Sequence, residues 1–180
     1  MVAIPGLTPG GGAVVTTAER ATGSSYSGNS TKPENPGEEA ERSMSIIYVA
    51  RSAKLGHWSS DVGLGKHTYK LGVAEPGQDP KVLAEAGWAG ETDWKIVRRK
   101  DVEELDEAAA LERLSRKEKM IAPNLYPKLK GSVGVFRVNQ THVENHIVVT
   151  RALAGASELG AVKPKPTDFA DYLIHNATRS

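Results

Sequence analysis

Few side chains in this sequence are suited to chemistry, and they fall in a handful of short stretches. Tyr48 sits in "SIIYVARS", and the pair Tyr69-Lys70 in "TYKLGVAE". A tyrosine hydroxyl can hand on a proton. A lysine amine contacts phosphate, or acts as a base once its pKa is depressed. Glu112 lies in "DEAAALERLSRKEKMI", among Arg113, Arg116, Lys117 and Lys119. Its carboxylate suits a magnesium ligand at the edge of the helix's buried face. It equally suits an exposed pair with Arg116 at i+4, worth only ~0.3–0.5 kcal/mol. "HVENH" sets His142 and His146 one helical turn apart, a spacing that binds metal. The zinc-protease pattern requires Glu directly after the first His, where Val143 stands, so a surface histidine pair is the better reading. "VGLGKHT" approaches a phosphate loop. Ser60 replaces its first glycine and His67 its hydroxyl, which leaves an ordinary loop.

The whole chain constrains what these residues can belong to. It has 180 residues, 39% hydrophobic and 25% charged, with a net charge of +1. That balance suits one globular domain with a tail. Cysteine is absent, which rules out disulfides, thiol nucleophiles and cysteine-ligated zinc and leads to the expectation of a reducing, cytoplasmic setting. No window approaches the ~20 apolar residues of a membrane span, and a secretory leader is not expected. The sequons at Asn29, Asn139 and Asn176 then carry no meaning. Residues 1–43 hold three basic and five acidic residues, so the remainder is mildly basic, compatible with a nucleic-acid partner.

Residues 1–43, with "GLTPGGG" and "GSSYSGNSTKPENPGEE", read as a disordered tail with nothing to bury. Met44 is a candidate start of translation. "SIIYVA" and "TYKLGVA" read as antiparallel strands, with "KLGHWSSDVGLGK" as the loop or hairpin connection between them. "DPKVLAEAG" reads as a short helix, opened by Asp79 and Pro80 and closed by Gly87. "DWKIVRRKDV" is a third strand. A long helix capped by Asp106 follows, running to Ile121 with Leu111, Leu114 and Ile121 on one face. After an ordered loop, "VGVFRV" is a strand or extended piece. Thr141 and Glu144 form a capping box opening a helix through Leu153. "TDFADYLIHNA" reads as an amphipathic turn or two. The sum is a small α+β domain over 44–155, a short sheet covered by helices, with a C-terminal extension at 156–180. Trp58, Trp88 and Trp94 are read as core or hinge residues.

In their order, "IIYVARS", "YKLGVAE", "DEAAALERL" and "GVFRVNQTHVENHI" resemble the GIY-YIG endonuclease superfamily. They are most similar to its divergent phage and bacterial branch, whose second motif reads Tyr-Lys-Ile-Gly-Val-Thr. The resemblance covers Ser45 to Leu153. It implies a small three-stranded antiparallel sheet flanked by helices, and a DNA-cleaving hydrolase using one Mg2+ or Mn2+. By this resemblance Tyr48 assists the attacking water and Glu112 holds the metal, which polarises the phosphoryl and leaving oxygens. Alignment on Gly72 sets Lys70 where the second tyrosine would stand. Tyr69 then points to the opposite face and, with Gly72, is structural. The arginine expected after the second strand has no counterpart in "DPKVLAEAG", so Arg99 is the substitute phosphate contact. Lys81, Arg98, Arg113 and Arg116 are the expected nucleic-acid contacts. Asn139 is the candidate for the asparagine of some members. DNA is the first expected partner, RNA the second, with no membrane. The alternative is a catalytically inactive module on the same fold, binding nucleic acid or protein.

Overall fold

Strand β1, Met44–Arg51, is buried on both faces along its centre, so it must lie inside a sheet with material on either side. Side chains alternate along it, Ile47 and Val49 to one face, Tyr48 and Ala50 to the other. The computed structural model describes Gly6, residues 44–157 and residues 160–179. The tail expected over 1–43 falls outside the described residues apart from Gly6.

The chain continues through α1 (Ala53–Asp61), β2 (Thr68–Ala74), α2 (Pro80–Ala86), β3 (Lys95–Glu103), α3 (Glu107–Ser115), β4 (Lys119–Met120), β5 (Val135–Arg137), α4 (Gln140–Leu153) and α5 (Pro166–Thr178). The fold is α+β, with a five-stranded, wholly antiparallel sheet in the order β3-β1-β2-β5-β4 and five helices among the described residues. The sheet has five strands rather than three because β5 and β4 extend it beyond β2. β5 falls within "VGVFRV", which reads as a strand or extended piece, while β4 is only two residues long, too short to carry a pattern.

Two cores flank the sheet. On one face Ile47, Val49, Tyr69 and Leu71 pack against α3, α4 and α5. On the other, Tyr48, Ala50 and Ala74 pack with Leu55 of α1, Ala84 of α2 and Trp94.

Four local expectations change. The stretch after β1 is the helix α1, not a loop. The Ser52 hydroxyl caps it by accepting from the Leu55 N–H at 3.0 Å. Its glycine and serines are packing devices: the one hydroxyl proton of buried Ser59 faces the Gly65 carbonyl at 2.7 Å and the Gly56 carbonyl at 3.0 Å, and the oxygen accepts from Thr68. Helix α3 begins at the predicted Asp106 cap but stops at Ser115 rather than Ile121. Beyond it, Lys119 and Met120 pair with β5, and the Ile121 N–H reaches the Val135 carbonyl. Helix α4 is capped by Asn139, whose side chain accepts from the Thr141 N–H, so Thr141 is inside the helix. Glu144 accepts from Gln140 instead of closing a capping box.

The largest change is α5. It is a 13-residue helix burying Phe169, Ala170, Tyr172, Leu173, Ile174 and Ala177, within the same compact unit as the sheet. Residues 166–178 are therefore core, not an extension.

Candidate functional site

The motif residues meet on the face that carries α1 and α2. Tyr48 lies opposite Arg99 on β3 and Gly72 on β2, and residues opposed in an antiparallel ladder share a face. The Tyr48 ring crosses directly over Gly72, where any Cβ would run into the hydroxyl and ring atoms. That close approach is why position 72 is glycine. Lys70, two residues before Gly72, points to this face too, and Tyr69 to the other, where it is fully buried and stacks on Phe169.

This arrangement is closed rather than open. Tyr48 is 4% exposed and Lys70 5%. Trp88 stacks on Tyr48 with ring centroids 5.9 Å apart, and the Lys70 amine lies 5.1 Å from the Trp88 ring centre. The amine donates to the Val133 carbonyl at 2.6 Å. The Trp88 loop is itself fastened: its carbonyl accepts from the Trp94 indole, Ala89 N–H donates to Ser132, and Glu91 pairs with Lys128 at 2.6 Å. Burial pushes the Tyr48 hydroxyl up to about 12 and holds the Lys70 amine below its ordinary value. Glu107, at the start of α3, pushes both upward as the smaller influence. It is the carboxylate whose field reaches this pair, and neither motif spacing nor pattern singled it out.

Glu112 is elsewhere. Helix α3 packs on the opposite face through Ala110, Leu111 and Leu114. The Glu112 side chain is 70% exposed and accepts from Arg116 at 2.8 Å, the i+4 pair. A magnesium or manganese ion held there would not touch the Tyr48–Lys70 pair, and no three His, Asp or Glu among the described residues are grouped to hold a metal. The structure does not bring Glu112 together with Tyr48 and Lys70, in contrast to what the resemblance implies. Arg99 is exposed and lies 3.7 Å from Asp79, the cap of α2. Lys81 is exposed in the first turn of the same helix. Arg98 points to the other face and clasps Asp171 of α5 through two nitrogens.

The open polar surface is on the α3–α5 side. A groove of about 560 Å³ runs between these helices, lined by Arg113, Arg116, Lys117, Arg179, Asn176, Glu112 and Ala109. Three of its four cations come from the C-terminal end of α3, and Arg179 is the C-cap of α5. Their placement also complements the helix dipoles. One carboxylate, Glu112, faces four cations.

Next to it a second groove of about 360 Å³ is lined by Lys117, His142, Asn145, His146, Val149, Tyr172 and Asn176. Behind two of its lining residues, His142 and Tyr172, lies Glu118, with a side chain 3% exposed. That carboxylate accepts from the Tyr172 hydroxyl at 2.8 Å, the His142 Nδ1 at 2.7 Å and the Asn139 N–H at 3.0 Å. Burial, then the Glu118 bond and charge, push the Tyr172 hydroxyl upward. His146 packs edge-on to Tyr172 and tilted against His175. Burial first, then His175, hold it below the ordinary imidazole value, while Asp171 opposes.

Glu118, Tyr172 and Trp88 were not legible as site residues. Glu118 reads as one more charge in a solvated helix, and it is buried only because the chain turns from α3 into β4 at that point. No protein-family model matches the chain, and no curated protein or solved structure is significantly similar to it.

Proposed function

We propose that this domain is a nucleic-acid-binding module on a GIY-YIG-like fold, holding a phosphate backbone in the groove between α3 and α5. The observation that carries the reading is the meeting of Arg113, Arg116, Lys117 and Arg179 around one open groove against a single carboxylate. Guanidinium groups bind phosphate oxygens through paired N–H donors, and such contacts hold a strand without reading its sequence. The family likeness is supported by Tyr48 packed over Gly72 between adjacent antiparallel strands. The lack of cysteine suits the cytoplasm. No described helix is long and apolar enough to cross a membrane.

The test is fluorescence anisotropy with labelled DNA and RNA strands across a salt series. The full chain is compared with the triple variant Arg113→Gln, Arg116→Gln, Arg179→Gln. Each lost phosphate contact lowers the salt slope by about one, and affinity falls by at least about tenfold. An unchanged slope and affinity would remove the reading.

A second reading keeps the nuclease on the α1–α2 face. It rests on Tyr48, Lys70 and Arg99 sharing that face and on the field of Glu107 at the first two. It requires the fastened Trp88 loop to open. Metal-stimulated cleavage of DNA that Tyr48→Phe abolishes would favour it over binding alone.

A further inference from the structure

The groove backed by Glu118 through His142 and Tyr172 differs from its neighbour in one chemical respect. Arg113, Arg116, Lys117 and Arg179 offer only donors, which suits phosphate oxygens. His142 offers something else. Its Nδ1 contacts Glu118 Oε1, an oxygen that also accepts the Tyr172 hydroxyl. A carboxylate only accepts, so Nδ1 carries the proton, and in the neutral ring Nε2 is left as a lone-pair acceptor. The His142 side chain is 47% exposed and lines the groove. Glu118, held by three donors and buried, fixes the ring's tautomer and orientation, as a carboxylate does behind a working imidazole.

A phosphate has no proton to give such an acceptor, but a hydroxyl does. Metal is the other common occupant of a bare imidazole nitrogen, and no three-ligand group exists among the described residues to hold one. His146 and His175 pack on each other, which leaves His142 as the carboxylate-held ring of this groove. The two grooves are neighbours, since Lys117 and Asn176 line both. A cationic groove thus lies beside one with a fixed acceptor. Phosphates spaced along it with a hydroxyl alongside describe a ribose-phosphate chain.

We infer that the two neighbouring grooves take an RNA strand in preference to DNA, the phosphates on the arginines and Lys117, and a ribose 2′-hydroxyl donating to His142 Nε2. The inference rests on the backbone-binding reading and deepens it, since the 2′-hydroxyl is what distinguishes RNA from DNA at a contact. His142 is a specificity residue here, not a catalytic one.

The test measures binding of the full chain to three strands of one sequence, ribo, deoxyribo and 2′-fluoro, in a buffer alkaline enough to keep imidazole neutral. The 2′-fluoro strand keeps an RNA-like sugar pucker but has no hydroxyl proton. One hydrogen bond predicts RNA tighter than both others by about threefold to tenfold. The variant His142→Phe should remove the difference between RNA and DNA. The chemically altered strands test the same point on the unaltered protein, whatever that variant does to folding. Equal affinity for the three strands overturns this inference and leaves backbone binding standing. Binding of none overturns both. A ribonucleoside monophosphate that competes as well as the strand would assign the groove to a small ligand and also overturn it.

Discussion

The two faces of the sheet use polar residues in opposite ways. On the α1–α2 face, Tyr48 and Lys70 carry the recognisable motifs, and the fold spends them on packing under Trp88. On the α3–α5 face, no motif marks the residues, yet Arg113, Arg116, Lys117, Arg179 and His142 line open grooves. A motif preserves the shape of a site more directly than its access to solvent. Tyr48 over Gly72 is a packing contact first, and it persists whether or not the hydroxyl meets a substrate.

Four changes probe that contrast, beginning with the largest. Leu173→Ala removes a fully buried side chain from α5. It should cost about 3–5 kcal/mol in urea denaturation, because α5 closes the core beneath the open grooves. A cost under about 1 kcal/mol would mean that α5 is peripheral. Gly72→Ala tests the closed face. Its Cβ must displace the Tyr48 ring, costing about 2–3 kcal/mol, with a changed near-ultraviolet dichroism from the Tyr48–Trp88 stack. Tyr48→Phe should change stability by less than about 1 kcal/mol and leave strand binding within about twofold. A large loss of binding would erase the contrast, since it would bring the closed face into function.

Acid is the mildest probe. Burial holds His67 and His146 below the ordinary imidazole value. The unfolded chain therefore takes up protons below pH ~6.5 that the folded chain refuses. Stability is full above that value and declines as pH falls through it toward the folded-state values. Urea midpoints at pH 7.5 and 5.5 should differ in that direction, and His146→Gln should reduce the difference. A midpoint that rises on acidification would contradict the burial of both rings.

Much of the frame was legible. β1, β2 and β3 announced themselves through β-branched runs, α2 through Asp79, Pro80 and Gly87, and the start of α3 through Asp106. These signals are local, and local chemistry decided them. Alternation along β2 also assigned Tyr69 and Lys70 to opposite faces. The misses depend on distant partners. α1 was hidden because Gly56 and Ser59 imitate a turn until Thr68 and the Gly65 carbonyl satisfy the serine. α5 was underrated because its apolar stripe has value only against Tyr69, α3 and β1, none of them near in sequence. For the site, the sequence offers Glu112 as the metal ligand by resemblance, with the Arg116 pair as the plainer alternative, and the structure shows the pair; which face α3 covers is a tertiary fact. The burial of Glu118 and Lys70 is of the same kind.

The position of α5 has a consequence for how the protein is made. β1 leaves the ribosome well before α5, and the helix that covers Ile47 and Val49 is encoded more than a hundred residues later. Until residues up to Ala177 have emerged, β1, β2 and β3 can pair, yet the face with Ile47, Val49, Tyr69 and Leu71 stays uncovered. Contacts spanning so much chain form slowly, and an uncovered apolar sheet face invites association with other chains. The nascent domain is therefore at its stickiest just before completion, the stage at which a chaperone would have most to offer it.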